Sequence, residues 1–303
     1  MIPRRGAARS LRDRLLLSLL AAVGLPLAYL PPPAGRWVSA RLGDLAWGLL
    51  RGRRRIVMEN LERAFGAERP AAELARIGRD SFRHLALNVV EACEFFFRPP
   101  ERLLSRVEVR GLEHLAAASA RGRGVLALTG HLGNWELLAA SAVLMPVPLS
   151  AVVRPLDDPL LDEILEQLRA RGRFQTIVKR RALVDIRDAL RQGRMVGVLL
   201  DQNASRREGV FAPFFGVPAS TSKGFALIAL RAGAPVVSCF IRRVAGGRHV
   251  VEFGPELPPP PGGDPVAFTR TFNEAIERAI RRAPEQWFWV HRRWKTRPTQ
   301  SSG

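Results

Sequence analysis

The 303-residue sequence has few cysteines, and this scarcity excludes two classes of protein. Its only cysteines are Cys93 and Cys239, which are far apart in the chain. Structural zinc needs four ligands in close pairs, and disulfide-framework domains need several bridges, so the sequence excludes both. We therefore expect catalytic chemistry to come from other residues, in a reducing compartment.

Lysine is equally scarce, although the chain is strongly basic. The lysines are Lys179, Lys223 and Lys295, whereas Lys and Arg together number 47 against 28 Asp and Glu, for a net charge of +19. Such an arginine excess predicts an anionic partner, which is a nucleic acid, a membrane leaflet or a phosphorylated substrate. An arginine-rich coding bias is the alternative explanation.

Because 47% of residues are hydrophobic and 25% charged, a disordered or fibrous chain is excluded.

Three common catalytic motifs are absent from the sequence. There is no G-x-S-x-G, which argues against a serine hydrolase, and neither G-x-x-x-x-G-K-[ST] nor H-E-x-x-H occurs. Four of the histidines, His84, His114, His249 and His291, have no spacing that suggests a metal site. We therefore expect a reaction that needs no metal.

Long apolar runs are also lacking, and this limits how the chain can meet a membrane. The longest run, residues 15–30, contains Pro26 and is shorter than the roughly 20 residues that span a bilayer. A second apolar run, 42–50, leads into a basic cluster at 51–55. Five arginines precede the first run: Arg4, Arg5, Arg9, Arg12 and Arg14. We interpret residues 1–56 as a retained anchor that dips into or lies along the membrane from the cytoplasmic side, rather than as a cleaved signal or a buried helix.

The rest of the chain, 57–300, is predicted to form one α/β domain. Its first part, 57–100, has the apolar spacing of helices and serves as a lead-in. Predicted strands follow at 107–109, 124–129, 149–153, 176–178, 195–200, 236–241 and 249–253. Predicted helices alternate with them at 111–120, 134–144, 159–171, 183–191, 223–232 and 268–282. This alternation predicts a mixed, largely parallel sheet flanked by helices.

The candidate catalytic residue is a histidine at the end of an apolar strand. His131 follows strand 124–129 between two glycines, which leave room for a ligand to approach the imidazole. Asn134 is a fair helix cap, so Glu136 falls in the first helical turn. If the loop folds back, the Glu136 carboxylate holds Nδ1–H and makes His131 a general base. The alternative is a helix-capping histidine beside an exposed glutamate.

Further polar residues follow neighbouring strands and belong at the same edge of the sheet. Arg154 ends strand 149–153, where a guanidinium can bind phosphate or an oxyanion, unless it is one more surface arginine. Asp201 and Gln202 end strand 195–200. Residues 211–216 form either an apolar wall of an acyl channel or part of the hydrophobic core. The small hydroxyl residues Thr221 and Ser222 precede Lys223 at the start of a predicted helix.

Several motifs together resemble a known family. In chain order they are 130–136 (GHLGNWE), 153–159 (VRPLDDP), 201–202 (DQ), 213–216 (PFFG) with Thr221, and 231–236 (RAGAPV). They resemble the motifs of the lipid A biosynthesis acyltransferases, the bacterial late lauroyl/myristoyl transferases of the lysophospholipid acyltransferase-like group. Segments 53–61 and 284–294 also look like this family, so the resemblance covers about 15–298.

The resemblance implies transfer of a fatty acyl group to a hydroxyl of a lipid A precursor at the cytoplasmic face of the inner membrane. The implied donor is an acyl carrier protein thioester, with coenzyme A as the alternative, and no cofactor is implied. His131 matches the family's catalytic base and Glu136 its carboxylate partner. The expected substrate-binding or oxyanion residues are Arg154, Asn134, Asp201, Gln202 and Lys223.

One departure leaves the acceptor open. The family motif often has an aromatic residue where Val153 stands here. Proteins that share the histidine and glutamate also acylate other glycolipids, such as mannosylated phosphatidylinositol or ornithine lipids, so the motif indicates the reaction better than the acceptor. A non-catalytic binder of nucleic acid or an anionic surface is the alternative from another class. The sequence lacks helix-turn-helix and zinc patterns, so we expect no nucleic acid partner.

Overall fold

The computed structural model of the chain describes residues 10–178 and 182–298. Parts of the sequence-based predictions lie outside these residues. They are Arg4, Arg5 and Arg9 of the predicted anchor, Lys179, and the last two positions of the predicted 57–300 domain.

The described part of the chain alternates between helices and strands after a helical start. The helices are α1 (Leu11–Tyr29), α2 (Pro32–Leu49), α3 (Arg51–Phe65), α4 (Ala71–Phe97), α5 (Glu101–Leu104), α6 (Leu112–Ser119), α7 (Trp135–Ala140), α8 (Pro159–Arg171), α9 (Ala182–Arg191), α10 (Gly224–Ala232) and α11 (Pro265–Arg282). The strands are β1 (Val107–Arg110), β2 (Val125–Thr129), β3 (Leu149–Val153), β4 (Gln175–Val178), β5 (Met195–Leu199), β6 (Gly209–Phe214), β7 (Val217–Ser222), β8 (Val236–Val244) and β9 (Arg248–Glu256).

Seven strands form one mixed sheet in the order β1-β9-β8-β2-β5-β3-β4. All neighbouring pairs are parallel except β8 with β9, which are antiparallel. The predicted mixed, largely parallel α/β sheet is therefore confirmed. Because β2 and β5 are parallel neighbours, their carboxyl ends open at the same edge, and the residues that follow them meet there.

Helices cover both faces of this sheet, as the apolar strands require. Along β2, Leu126 and Leu128 point into a core shared with α3, α10, α11 and the tryptophans near the carboxyl end of the chain. Val125 and Ala127 point into a second core with α6, α7 and α8. Every β2 side chain is therefore buried, which fixes the strand that leads to the site.

The first two helices pack against α4 rather than against the sheet. Gly43 allows α2 to approach closely, because a Cβ there would lie 2.5 Å from the Arg83 Cα on α4. Many of their outward side chains are apolar. No helix in the described ranges has the length and apolarity needed to cross a membrane. The predicted boundary at residue 56 falls inside α3, which runs unbroken to Phe65.

A separate antiparallel hairpin, β6–β7, was not predicted from the sequence. Pro213 and Pro218 face each other in it, and proline argues against a strand because it lacks the N–H of a ladder hydrogen bond. Phe215 and Gly216 form its turn with φ of 51° and 71°. A phenylalanine in this left-handed region is a poor sequence signal for a turn. Residues 211–216 thus form the end of β6 and the turn, with Phe214 fully buried in the core.

Candidate active site

His131 lies just beyond the end of β2, at the edge where β2 and β5 open. Its side chain is 19% exposed, so it is reachable from one side. The preceding Gly130 is needed for space, because a Cβ there would lie 3.1 Å from Cγ of Asp201. The space that glycine leaves at this position is occupied by the carboxylate of Asp201.

Asp201, which follows β5, holds the imidazole of His131. Its Oδ1 lies 2.8 Å from Nδ1 of His131, and its Oδ2 accepts from the His131 backbone N–H at 2.8 Å. The indole N–H of Trp287 also donates to Oδ2, at 2.7 Å. Since a carboxylate only accepts, the imidazole proton sits on Nδ1, and Nε2 presents its lone pair.

The charge of Asp201 is maintained by these donors. Its side chain is 2% exposed, and such burial by itself raises the pKa of a carboxyl. The electrostatic interaction with His131 and the hydrogen bonds from His131 and Trp287 together outweigh burial. They lower the pKa of Asp201 to about 2. Asp201 is therefore ionised across the physiological pH range.

Glu136 does not hold Nδ1 of His131, and that prediction is wrong. Helix α7 begins at Trp135, so Glu136 is in its first turn, as predicted, but its carboxylate faces α8. There Arg169 donates to both oxygens, Nη2 to Oε1 at 3.0 Å and Nε to Oε2 at 3.2 Å. The sequence spacing suggested a local pair, whereas the carboxylate that reaches Nδ1 comes from the neighbouring strand.

An amide lies beside Nε2 of His131, and two aromatic rings pack against its imidazole. Nε2 of Gln202 lies 3.4 Å from Nε2 of His131, so the two side chains meet at the same edge of the sheet. The rings of Trp135 and Phe288 lie 5.1 Å and 5.8 Å from the imidazole, centroid to centroid. The rings cover part of the imidazole, and the His131 side chain remains partly exposed.

A second histidine lies close by. His291 accepts from the backbone N–H of Asn203 through Nε2 at 3.1 Å. Burial, together with the positive charges near it, lowers the pKa of His291 to about 4. His291 is therefore neutral at physiological pH, and its Nδ1 carries the proton.

A groove of about 810 Å³ is lined by His291 and by Phe288, whose ring contacts the imidazole of His131. Its walls are mostly apolar and come from α1, α2, α4 and the segment after α11; they include Leu42, Leu85, Val89, Phe288 and Val290. Three cations also line it: Arg53, Arg292 and Lys295. This volume is within the roughly 300–1,000 Å³ of typical ligand pockets. Apolar walls together with basic groups suit an amphiphile with an anionic head.

The other predicted substrate-binding residues lie elsewhere. Arg154 is 76% exposed and contacts Asp157 at 3.4 Å, so it does not join His131. Asn134 is buried, caps α7 by accepting from the Leu137 N–H, and donates to Glu91 at 2.7 Å, so its side chain is committed inside the protein. Lys223 precedes α10, where its backbone N–H donates to Glu208.

Sequence reasoning missed Trp287, Phe288 and His291, although it noted the segment that contains them. Their roles depend on a bridge between Leu132 and Trp287, which lays this segment along the turn after β2. No spacing rule connects positions so far apart. Across residues 10–178 and 182–298, no group of three or more His, Cys, Asp or Glu side chains could hold a metal ion.

Comparison with known proteins identifies the class. The model of the bacterial lipid A biosynthesis acyltransferase family matches residues 4–296, so the chain belongs to this family and is an acyltransferase. The motif resemblance is confirmed, and a non-catalytic binder is set aside.

Two curated relatives narrow the comparison. The lipid A biosynthesis lauroyltransferase of Escherichia coli (strain K12) is 32% identical over 275 residues, which cover 90% of this chain and 89% of that protein. The lipid A biosynthesis palmitoleoyltransferase of the same organism is 31% identical over 278 residues, with the same coverage. Their names specify different acyl groups, so similarity alone does not assign the acyl chain of this protein.

Proposed function

We propose that this acyltransferase moves a fatty acyl group from a thioester donor to a hydroxyl of a lipid A precursor. The observation that carries the proposal is His131, held at Nδ1 by Asp201 and in contact with Phe288, which lines an apolar groove that also holds three cations. The names of the relatives supply the acceptor class. The alternative acceptor is another glycolipid or phospholipid, such as a phosphatidylinositol mannoside or an ornithine lipid.

His131 acts as the general base in this proposal. Its Nε2 removes the proton from the acceptor hydroxyl while Asp201 stabilises the imidazolium through Nδ1–H. The oxygen attacks the thioester carbonyl carbon, and the carbonyl becomes a tetrahedral oxyanion. Collapse of this intermediate forms the ester and expels the thiolate, which takes the proton from Nε2. Every bond and proton is accounted for without a cofactor.

Gln202 is the side chain that best fits the oxyanion. Its amide nitrogen lies 3.4 Å from Nε2 of His131, so an N–H donor is beside the reacting centre. Arg154, which the sequence suggested for this role, is exposed and points to Asp157. We therefore assign oxyanion stabilisation to Gln202 rather than to Arg154.

Glu136 keeps a supporting place in the proposal. Its two bonds with Arg169 tie the first turn of α7 to α8, directly after the turn that carries His131. Loss of the carboxylate leaves Arg169, whose side chain is 11% exposed, with Glu166 as its remaining acidic partner. We expect Glu136 to affect transfer through this contact.

The apolar groove and the three cations that line it suit an acceptor that carries both acyl chains and phosphate. Arg53, Arg292 and Lys295 have no carboxylate partner within the described part of the chain. Their positive charges complement phosphate groups on the acceptor. Acyl carrier protein is the proposed donor and coenzyme A the alternative, which rates with matched thioesters of the two carriers distinguish.

We also propose that α1 and α2 bind the surface of the inner membrane from the cytoplasm. Leu15, Leu19 and Trp37 are each about 60% exposed, an unusual number of large apolar side chains for helices in water. The exposed basic start of α3 follows α2 directly in the chain. Apolar side chains beside arginines are typical of helices that lie in an anionic interface.

Mass spectrometry of total lipids from source cells with and without the gene tests the acceptor. The proposal predicts that lipid A loses one acyl chain in the deletion, and that the mass difference identifies the chain. If lipid A is unchanged and another glycolipid loses one acyl unit, the proposed acceptor is wrong but the proposed acyl transfer is supported. If no lipid changes, the proposal fails.

A further inference from the structure

The turn that carries His131 is held in place by hydrogen bonds to its backbone. The Phe288 N–H donates to the His131 carbonyl, and the Gly133 N–H donates to the Gln286 carbonyl, both at 3.0 Å. Nδ2 of Asn88 donates to the Gly133 carbonyl at 3.0 Å. Gly133 has φ of 60°, and a Cβ there would lie 2.5 Å from the Ile241 carbonyl oxygen. The turn therefore packs directly against the backbone of β8.

Behind these contacts lies a buried ion pair that the proposed chemistry does not use. Glu91 of α4 accepts from Arg243 of β8 twice, from Nε at 3.0 Å and from Nη2 at 2.6 Å. His249 and Asn134 complete the shell of Glu91, at 3.1 Å and 2.7 Å. All four side chains are buried. Burial opposes the ionisation of Glu91, but Arg243 and His249 outweigh it and lower its pKa.

Each end of this ion pair reaches the turn through one amide side chain. Glu91 binds the Asn134 amide, which caps α7 directly after the turn. Arg243 donates to Oδ1 of Asn88, whose Nδ2 binds the Gly133 carbonyl. The backbone of Arg243 also exchanges two hydrogen bonds with the Gln286 side chain, at 2.7 Å and 3.0 Å, and the Gln286 carbonyl binds Gly133.

We propose that the Glu91–Arg243 pair is a positioning unit for His131, acting through Asn88, Asn134 and Gln286. The inference rests on the proposed role of His131 as the base. Because both charges are buried, removing one leaves the other without a partner, and the groups around it must shift. A displacement of about 1 Å at a catalytic group can cost on the order of 100-fold in rate. The pair therefore acts on the rate of the chemical step rather than on substrate binding.

Two variants and one control test this inference in the full-length protein. Glu91→Gln removes the charge with little change in shape. Asn88→Ala removes the link from Arg243 to Gly133 and leaves both charges of the ion pair in place. Glu68→Gln is the matched control, because Arg281 binds both oxygens of Glu68 at a surface site away from the turn. The readouts are kcat, KM and the hydrogen exchange of residues 130–134 followed by mass spectrometry.

We expect kcat to fall about 100-fold in Glu91→Gln and about 10-fold in Asn88→Ala, with KM within about twofold. Exchange of 130–134 becomes faster in both variants, and Glu68→Gln changes neither quantity. If Glu91→Gln does not fold, Asn88→Ala decides. Unchanged exchange and unchanged kcat in folded variants overturn the inference. Faster exchange, with a wild-type protein that transfers nothing to any lipid, supports the positioning unit and refutes the proposed function.

Discussion

Oδ1 of Asp201 lies 2.8 Å from Nδ1 of His131, although the two residues are 70 positions apart in the chain. The parallel pairing of β2 and β5 brings them together, since each follows the carboxyl end of its strand. The carboxylate sets the tautomer of the imidazole and leaves the Nε2 lone pair for the acceptor hydroxyl.

Replacement of Asp201 by asparagine tests this relationship. The amide of Asp201→Asn can donate to Nδ1 and thereby move the imidazole proton to Nε2, which removes the base. We expect kcat for acyl transfer to fall by about 10³-fold or more with the protein still folded. Glu136→Gln, assayed beside it, should lose far less. Equal losses in the two variants would contradict the assignment of Asp201 as the partner of His131.

Trp287 should affect the rate through its indole N–H. Trp287→Phe removes the donor to Oδ2 of Asp201, so the pKa of Asp201 should rise and kcat should fall about tenfold. Trp289→Phe is the control, because the indole N–H of Trp289 donates to the Pro284 carbonyl instead. Both variants lose a buried indole, and thermal melts report that shared cost. A normal kcat in Trp287→Phe would rule out the contribution of this hydrogen bond.

The Glu136–Arg169 contact should show coupling in a double-mutant cycle. Both side chains are largely buried, and the guanidinium binds both carboxylate oxygens. Urea unfolding of Glu136→Gln, Arg169→Met and the double variant should give a coupling free energy of about 0.5–3 kcal/mol. Additive losses would mean that the two side chains do not act together.

Stability should fall in mild acid because two partly buried histidines are held in the neutral form. Burial comes first among the causes that lower the pKa of His84 and of His291 to about 4. An unfolded histidine has a pKa of about 6.5, so between these values the unfolded chain binds more protons. The free energy of unfolding therefore decreases as pH falls from about 6.5, and this loss is complete below about 4.

Urea unfolding at several pH values between 7 and 4 measures this dependence. Nδ1 of His84 lies 3.2 Å from an Arg243 nitrogen, and His84→Asn retains an acceptor for that donor. The variant should lose stability less steeply over the same pH range. A slope identical to that of the wild type would show that His84 does not carry the effect.

Membrane binding should depend on the outward leucines of α1. We expect Leu15→Gln with Leu19→Gln to weaken binding to phosphatidylglycerol vesicles at least tenfold in a sedimentation assay, because both lose apolar burial in the interface. Leu183→Gln is the control, since Leu183 is 64% exposed and Leu15 61%, but Leu183 lies on α9. Equal binding by all proteins would exclude α1 as the membrane contact.

The sequence predicted those features that depend on local patterns. Apolar strands with polar residues at their carboxyl ends located His131, Asp201 and Gln202 at one edge, because parallel pairing follows from the strand–helix alternation. The partner of His131 was assigned wrongly, because spacing along the chain favoured Glu136 over a residue on a neighbouring strand. The contact of the Phe288 ring with the His131 imidazole depends on a long-range backbone bridge, which no local sequence pattern predicts.

The measurement that tests the central claim most directly is acyl transfer by purified protein, with mass spectrometry of the lipid product. Wild-type and His131→Ala proteins of equal thermal stability are incubated with an acyl carrier protein thioester and a lipid A precursor. We predict that the wild-type protein adds one acyl chain to the precursor and that the variant adds none. Near-normal turnover by the variant would contradict the account.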